Sequence, residues 1–243
     1  MLLVADYAVV SLHCLRIYLE RSYREALDLL SEMPQILAEI GLEVVDLPDH
    51  STLVKAFDRI KMEVWRVLLR LSAQLHKPSG HAAMDKTFFD RENASKYYCR
   101  RTNYRVQTHK TTALVDTASQ AVLDVHCTIK KCHDTQIGWQ LARRNSGELH
   151  SLAADKGYDW QELRDKLREE DVRPLIKNRE FRPIDYAHNA LDETLYGQRA
   201  LSETVSSVIK RTLGDAVRAR SWYREFREIV LMCAVYNIKR AVN

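Results

Sequence analysis

The chain has 243 residues, of which 46% are hydrophobic and 29% are charged. This is enough apolar material for one or two packed cores, and the composition lacks the bias typical of disorder. Seven Gly and five Pro exclude collagen-like and linker-rich architectures. Five Cys at irregular positions differ from the even, dense pattern of a disulfide-stapled secreted domain. We therefore expect a reducing compartment and a cytoplasmic protein.

No stretch approaches the roughly 18 uninterrupted apolar residues of a membrane span, and no basic segment precedes the apolar N terminus as in a signal peptide. We expect a core helix there and no membrane contact. This helix begins without a polar cap, which leaves room for a missing upstream segment. The net charge of +4 is divided unevenly. Residues 1–78 hold 9 Lys/Arg against 11 Asp/Glu, and residues 79–243 hold 28 against 22, so a polyanion contact is predicted mainly for the second part.

Helical periodicity dominates the first part of the chain. Apolar residues recur every three or four positions in segments 27–40 and 60–71, the latter including Val64, Val67 and Leu71. Ser51 or Thr52 can cap the helix between them. A Lys-Pro-Ser-Gly break then predicts a boundary between a helical N-terminal region, residues 1–78, and a second domain, residues 79–243. DNA binding and dimerisation both stay open as functions of the N-terminal region.

The second part shows the periodicity of strands. Within segment 120–129, Leu123, Val125 and Cys127 alternate with Asp124 and His126, which is typical of a half-buried strand. Further elements are predicted in this order: strands 81–89, 108–115 and 120–129, a helix capped by Asp134, strand 149–154, a helix capped by Asp159, strand 172–176, and helices near 198–213 and 222–240. Three antiparallel strands followed by alternating helices and strands indicate an α/β fold with a mixed sheet covered by helices.

Four polar residues form one stripe of the predicted helix near residues 198–213. At about 100° per residue they fall within roughly 60° of one another if the helix includes the first of them. They are Tyr196, Arg199, Glu203 and Lys210. Val205 and Ile209 lie on the opposite side, so the stripe faces away from the core. Considered alone, Arg199 and Glu203 are also compatible with an ordinary i,i+4 surface pair worth about 0.2–0.5 kcal/mol.

Two aspartates occupy positions that favour a further role. Asp85 lies inside a predicted strand, where a carboxylate is costly to bury without a partner. Asp155 ends another strand and is followed by Gly157. If these two carboxylates met Glu203, their repulsion would require a cation at the same site. Ligation by oxygen alone favours Mg²⁺, and two such ions can activate a water or a 3′-hydroxyl for attack on a phosphodiester.

The spacing Y-x2-R-x3-E-x6-K is complete in this chain and resembles the signature of bacterial and archaeal insertion-sequence transposases with an RNase H-like catalytic domain. Segments 48–53, 84–90, 110–115, 133–135, 152–158 and 209–213 resemble the haloarchaeal branch of this group. The resemblance covers nearly the whole chain. It implies an RNase H-like mixed sheet of five strands with flanking helices, preceded by a small all-helical N-terminal domain. Lys86 departs from the small or hydroxyl residue usual after the first aspartate.

The resemblance also implies an activity and its residues. Asp85, Asp155 and Glu203 would form the catalytic DDE triad that binds two Mg²⁺ ions, for which Mn²⁺ can substitute. Tyr196, Arg199 and Lys210 would contact DNA. The implied reaction is hydrolytic nicking at the element ends and joining of the freed 3′-hydroxyl to target DNA. The implied partners are double-stranded DNA, both element ends and target, and further copies of the chain in a homodimer or higher oligomer.

Two alternatives to this function stay open: an inactive relic that retains only DNA binding, and an RNase H-like nuclease without strand transfer. Two other features are also open to interpretation. His126, Cys127, Cys132 and His133 bracket a pair of lysines, but their spacing matches no common zinc module, so a turn with one phosphate contact is favoured. An arginine-rich segment is equally compatible with a DNA-binding face and a solvated surface, and its members are Arg218, Arg220, Arg224 and Arg227.

Overall fold

The structure is a computed structural model that describes residues 6–91, 108–129, 132–179 and 192–242. None of the helices in these ranges has the length and apolar character that crossing a membrane requires. The lysine pair at 130–131, predicted as a turn, lies outside the described residues.

The N-terminal part of the described chain is helical, as predicted. Its helices are α1 (Asp6–Tyr18), α2 (Tyr23–Ser31), α3 (Pro34–Glu39), α4 (His50–Arg59) and α5 (Met62–Ala73). Helix α2 begins with a capping box, because the Ser22 side chain binds the Glu25 amide and the Glu25 carboxylate binds the Ser22 amide. Helix α4 is capped by Asp49, which accepts from the Ser51 amide, so the predicted caps Ser51 and Thr52 were wrong.

Three residues of the apolar repeat noted in the sequence lie outside the buried face of α5. Val64, Val67 and Leu71 are about half exposed, whereas Trp65 and Leu69 are fully buried. The helix carries apolar residues on both sides, and the side with the tryptophan is the one that packs into the core. Periodicity alone did not distinguish the two sides because both repeat at helical spacing.

A mixed sheet forms the centre of the molecule, which confirms the predicted α/β architecture. Its strands are β1 (His81–Arg91), β2 (His109–Asp116), β3 (Val122–Thr128), β4 (Ser151–Ala154), β5 (Arg173–Ile176) and β6 (Ala216–Val217). The order is β3-β2-β1-β4-β5; the first three strands are antiparallel, and β4 and β5 run parallel to β1. Strand β6 pairs with the far end of β1 and was not predicted, because two residues are too few for a periodic pattern.

A β-bulge interrupts the predicted alternation of β3. Val115 pairs with Val122 and Leu114 pairs with Asp124, so Leu123 is an extra residue on β3. Leu123 consequently packs against a different core cluster from Val125, although the sequence placed them on one face. A hydropathy pattern cannot show an inserted residue that leaves the local chain apolar.

Helices cover both faces of the sheet. The remaining helices are α6 (Asp134–Asn145), α7 (Gln161–Glu169), α8 (Glu193–Gly197), α9 (Ala200–Leu213) and α10 (Trp222–Val242). Helices α6 and α7 bury Leu141 and Leu163 on the face that carries Met84. Helices α5, α9 and α10 cover the other face, where Val205 and Ile209 are buried.

Two predicted helix caps on the first of these faces differ in the structure. The N-cap of α6 is His133, and Asp134 is its first helical residue. The N-cap of α7 is Trp160, because the Asp159 carboxylate accepts instead from the Arg164 guanidinium at 2.8 Å. Each aspartate has a basic side chain as partner, which a local cap pattern does not reveal.

Helix α10 joins the N-terminal helices to the sheet. Glu228 binds the buried Arg16 of α1 at 2.6 Å, and Arg224 pairs with Asp58 of α4. Arg227 donates to backbone carbonyls at the end of α4. Arg224 and Arg227 are thus structural contacts, rather than the DNA-binding or solvated face considered above. The independence of residues 1–78 as a domain stays a prediction.

Candidate active site

Strand register places Asp85 and Asp155 side by side. Strand β1 runs parallel to β4, and Met84 pairs with Ala154, so Asp85 of β1 lies beside Asp155, the first residue after β4. Both Met84 and Ala154 are buried in the core under α6 and α7. Because side chains alternate along a strand, the two aspartates project from the opposite face. Neighbouring strands lie about 4.8 Å apart, and the charge of Asp155 acts on the pKa of Asp85, so the two residues are close to each other at this edge of the sheet.

Helix α9 brings Glu203 to the same face of the sheet. It packs on β1 and β2 through Val205 and Ile209 and presents Glu203 from its first turn. Asp85 and Glu203 line one open cleft of about 520 Å³. The lining also includes Lys86, Thr87, Ser206, Ser207, Lys210, Arg211 and Asp215.

The electrostatics of the cleft favour a bound cation. The pKa of Asp85 is raised to about 6, mainly by burial and also by the nearby carboxylates of Asp155 and Glu203, while the backbone amide and the ammonium of Lys86 oppose the shift. A group of carboxylates that destabilise one another's charge is the donor chemistry that a hard divalent cation satisfies. The donor set therefore fits such an ion.

The carboxylates do not form a closed coordination shell in this conformation. Among residues 6–91, 108–129, 132–179 and 192–242, no three His, Cys, Asp or Glu side chains are close enough together to hold one metal ion. The structure thus brings Asp155 beside Asp85, and Glu203 into the cleft that Asp85 lines, without arranging the three around a common point.

Gly157 controls the position of the Asp155 carboxylate. Asp155 follows the last residue of β4, and its Oδ1 accepts from the Gly157 amide at 2.8 Å. A Cβ at position 157 would lie 2.8 Å from this same oxygen, closer than carbon and oxygen normally approach. Only glycine therefore leaves the observed carboxylate position undisturbed.

Lys86 is held by an ion pair that the sequence did not predict. Its Nζ donates to Asp134 Oδ2 at 2.6 Å, and Lys110 pairs with the other oxygen of the same carboxylate. Although burial tends to raise the pKa of Asp134, the two lysines hold it below the usual range. Asp134 belongs to a segment of the family resemblance, but no sequence signal indicated its partner.

The other residues of the stripe lie on two helices instead of one. Tyr196 belongs to α8, and its ring centroid lies 4.6 Å from the Lys177 ammonium and 5.5 Å from the Arg199 guanidinium. Arg199 is the N-cap of α9, and its Nη1 lies 3.5 Å from Glu203 Oε1. The two charged groups are 37% and 60% exposed, so this long pair contributes little to stability and leaves both free to bind other groups.

Lys210 lies two turns further along α9, over the ring of Phe89 at 5.4 Å. It lines the cleft of Asp85 and Glu203 together with Arg211. Lys177 and Arg211 were missed as site residues: Lys177 is far away in sequence, and Arg211 is off the four-residue stripe.

Comparison with solved structures and known families identifies the fold and its family. The fold is similar to that of piggyBac transposase, solved by cryo-EM as a synaptic complex with hairpin DNA, with a TM-score of 0.56 at 10% identity. The similarity covers 97% of this chain and 65% of the piggyBac transposase chain, so the architecture is one used by transposases. Residues 76–238 match the transposase DDE domain family, and the chain belongs to that family. A comparison with curated proteins found no match.

Proposed function

We propose that this protein is a DNA transposase of the DDE type, which cleaves the ends of an insertion sequence and joins them to target DNA. The observation that carries the proposal is the parallel register of β1 and β4, which sets Asp85 beside Asp155 on the face covered by the helix of Glu203. Membership of the transposase DDE domain family supports the same assignment. We further infer that the chain lies in the haloarchaeal-like branch, because segments 48–53, 84–90, 110–115, 133–135, 152–158 and 209–213 resemble that branch.

We assign the metal ligands to Asp85, Asp155 and Glu203. Their oxygen donors fit Mg²⁺ or Mn²⁺, and two bound ions would activate the attacking hydroxyl and stabilise the leaving oxygen of the phosphodiester. The protein contributes by fixing the two aspartates on adjacent strands and by limiting their exposure to water.

Basic and aromatic side chains would position the DNA strand. Arg199 and Lys210 flank Glu203 along α9, where they can bind phosphate oxygens on either side of the scissile bond. Tyr196, whose ring contacts both Lys177 and Arg199, presents an aromatic surface at the same end of the helix. Positive charge at these points also stabilises the charge that develops in phosphoryl transfer.

We also infer the partners, the location and the assembly of the protein. The partners are double-stranded element ends and target DNA, and at least two copies of the chain act together in a cytoplasmic complex. Residues 1–78 are proposed as a helical region that assists DNA binding or dimerisation, and residues 79–243 as the RNase H-like catalytic domain.

The test uses the purified full-length protein and a DNA that carries the two ends of its insertion sequence. We expect cleavage that requires Mg²⁺ or Mn²⁺ and a joined product when target DNA is added. Glu203→Gln should lower cleavage at least about 1000-fold, because it removes a ligand charge from the catalytic ions, and should leave DNA retention unchanged. The matched control is Glu169→Gln, an exposed helical glutamate of α7 outside the cleft.

Three outcomes distinguish the candidate functions. Cleavage with joining supports the transposase. Hydrolysis without joined product favours the nuclease that lacks strand transfer, and DNA retention without cleavage at any metal concentration favours the inactive relic. Full activity of Glu203→Gln would overturn the assigned ligand set.

A further inference from the structure

An arginine-lined cleft lies on the side of α10 that faces the N-terminal helices. It has a volume of about 860 Å³ and lies between the start of α2 and the segment that links β6 to α10. Its basic lining comes from both parts of the chain. Arg21 and Arg24 belong to the first part, and Arg218 and Arg220 belong to the second. We call the cleft lined by these four residues the arginine cleft.

The acidic residues of the lining are already bound within the protein. Glu228 pairs with Arg16 through one oxygen, and its other oxygen accepts from the amides of Arg218 and Ala219. Glu25 accepts from the Ser22 amide in the capping box of α2. Both carboxylates are thus already engaged within the protein, and Glu25 also attracts Arg21 and Arg218 through its charge.

Three of the arginines are exposed and form no ion pair within the part of the chain that the structure describes. They are Arg21, Arg24 and Arg220. The nearest side-chain partner of Arg24 is His50, with Nη2 and Nε2 separated by 3.5 Å. Exposed guanidinium groups on a concave surface create a positive potential and can bind phosphates through paired donors.

The arginine cleft lies close to the candidate active site. A smaller cavity of about 350 Å³ shares Arg21 and Arg218 with the arginine cleft, and it shares Asp215 with the cleft of Asp85 and Glu203. The three cavities therefore follow one another along the surface, from the cleft of Glu203, past the end of α9, to the N-terminal helices. A row of neighbouring cavities with exposed arginines at one end suits a polymer with regularly spaced negative charges better than a single small anion.

We propose that the arginine cleft binds the phosphate backbone of the double-stranded DNA whose scissile strand lies at Asp85 and Glu203. The identity of the polyanion rests on the proposed transposase function. The N-terminal region has an acidic total charge, but it contributes two arginines at the point where it meets the second part of the chain. This contact joins the two parts of the molecule on one DNA segment.

The experiment compares the full-length chain with the triple variant Arg21→Ala, Arg24→Ala, Arg220→Ala. The probe is a DNA duplex of unrelated sequence, because phosphate contacts do not depend on sequence. We expect about tenfold or greater loss of affinity at low salt. The slope of log K against log salt should fall by up to about 2.7, since each lost phosphate contact removes about 0.9. All three side chains are exposed and lack ion pairs with any described residue, so the thermal transition should not change.

The control variant is Arg143→Ala, Arg168→Ala, Arg173→Ala, which removes the same charge from α6, α7 and β5, outside the cleft. The arginine cleft assignment would be overturned if the first variant lost no more affinity and no more salt slope than this control. It would also be overturned if the wild-type chain bound no duplex. The assay requires no cleavage. A chain that holds DNA through the cleft and never cuts it would overturn the transposase function while supporting the DNA contact.

Discussion

At the scale of single residues, Gly157 has a specific role beside the proposed ligand Asp155. The backbone conformation at position 157 does not itself require glycine, because φ is not in the left-handed region. Its importance lies in the Asp155 oxygen that binds the Gly157 amide and occupies the space of a side chain. A methyl group there would displace the carboxylate, while the chain could keep its path.

We therefore expect Gly157→Ala to reduce DNA cleavage about 10- to 100-fold, because misplacement of a catalytic group by about 1 Å has effects of this size. The free energy of unfolding should change by less than about 1 kcal/mol, since only a flexible carboxylate must move. Cleavage rates and urea denaturation measure the two effects. The control is Gly147→Ala, where an added Cβ meets nothing within 4 Å. Equal activity of the two variants would contradict the positioning role.

The limits of sequence reasoning are also clearest for individual side chains. The resemblance placed Asp85, Asp155 and Glu203 on the elements that carry them in the structure, although periodicity gives no distance between residues so far apart in sequence. Lys86 was noted only as a departure from the family pattern. Its ion pair with Asp134 depends on the packing of α6 against β1 and β2, which no local pattern specifies.

At the scale of elements, the first turn of α10 joins the ends of β1 and β2. Glu225 is fully buried; its Oε1 accepts from Arg91 Nε at 2.7 Å, and its Oε2 pairs with His109 Nε2. His109 is itself buried. A buried interaction between a carboxylate and two basic side chains is costly to break, because the groups that remain are buried away from water without their partner.

We expect Glu225→Gln to lower the free energy of unfolding by about 3 kcal/mol, since it removes the charge that both partners share. Urea denaturation at neutral pH measures the change. Glu63→Gln, at an exposed position in the first turn of α5, is the control and should alter stability by less than about 0.5 kcal/mol. A loss below about 1 kcal/mol in Glu225→Gln would show that the site tolerates an uncharged side chain.

The presence of the helices and strands was predicted better than their exact pairing and orientation. The strands and helices of the second part follow from clear changes in apolar spacing, and the predicted mixed sheet is confirmed. The bulge at Leu123, the two-residue strand β6 and the orientation of α5 were wrong or missing. Each depends on tertiary pairing, because the local sequence is equally compatible with another arrangement.

At the scale of the whole molecule, a buried histidine links stability to pH. His13 is fully buried among the rings of Tyr23, Phe57 and Trp65. Its pKa is lowered to about 3, mainly by burial and also by the positive charge of the nearby Arg16. The folded protein therefore keeps His13 neutral at pH values where the unfolded chain, with a pKa of about 6.5, takes up a proton.

Stability from the neutral state of His13 is fully present above about pH 6.5 and decreases as the pH falls towards 3. Between pH 6.5 and 5 the free energy of unfolding should fall with a slope that approaches about 1.4 kcal/mol per pH unit. Urea denaturation across this range measures the slope. His13→Gln, which cannot titrate, should flatten it, whereas the exposed His150→Gln should not. Identical slopes in wild type and His13→Gln would exclude His13 as the cause.

Strand β6 has a consequence for how the ligand shell can close. After α9 the chain turns at Gly214 and pairs Ala216 and Val217 with the end of β1, and the Asp90 amide donates to the Asp215 carbonyl at 3.0 Å. Main-chain hydrogen bonds thereby connect the end of the helix that carries Glu203 to the strand that carries Asp85. Moving the C-terminal end of α9 away from β1 would break these main-chain bonds. We therefore expect the three acids to reach a shared ion mainly through changes of their side-chain rotamers.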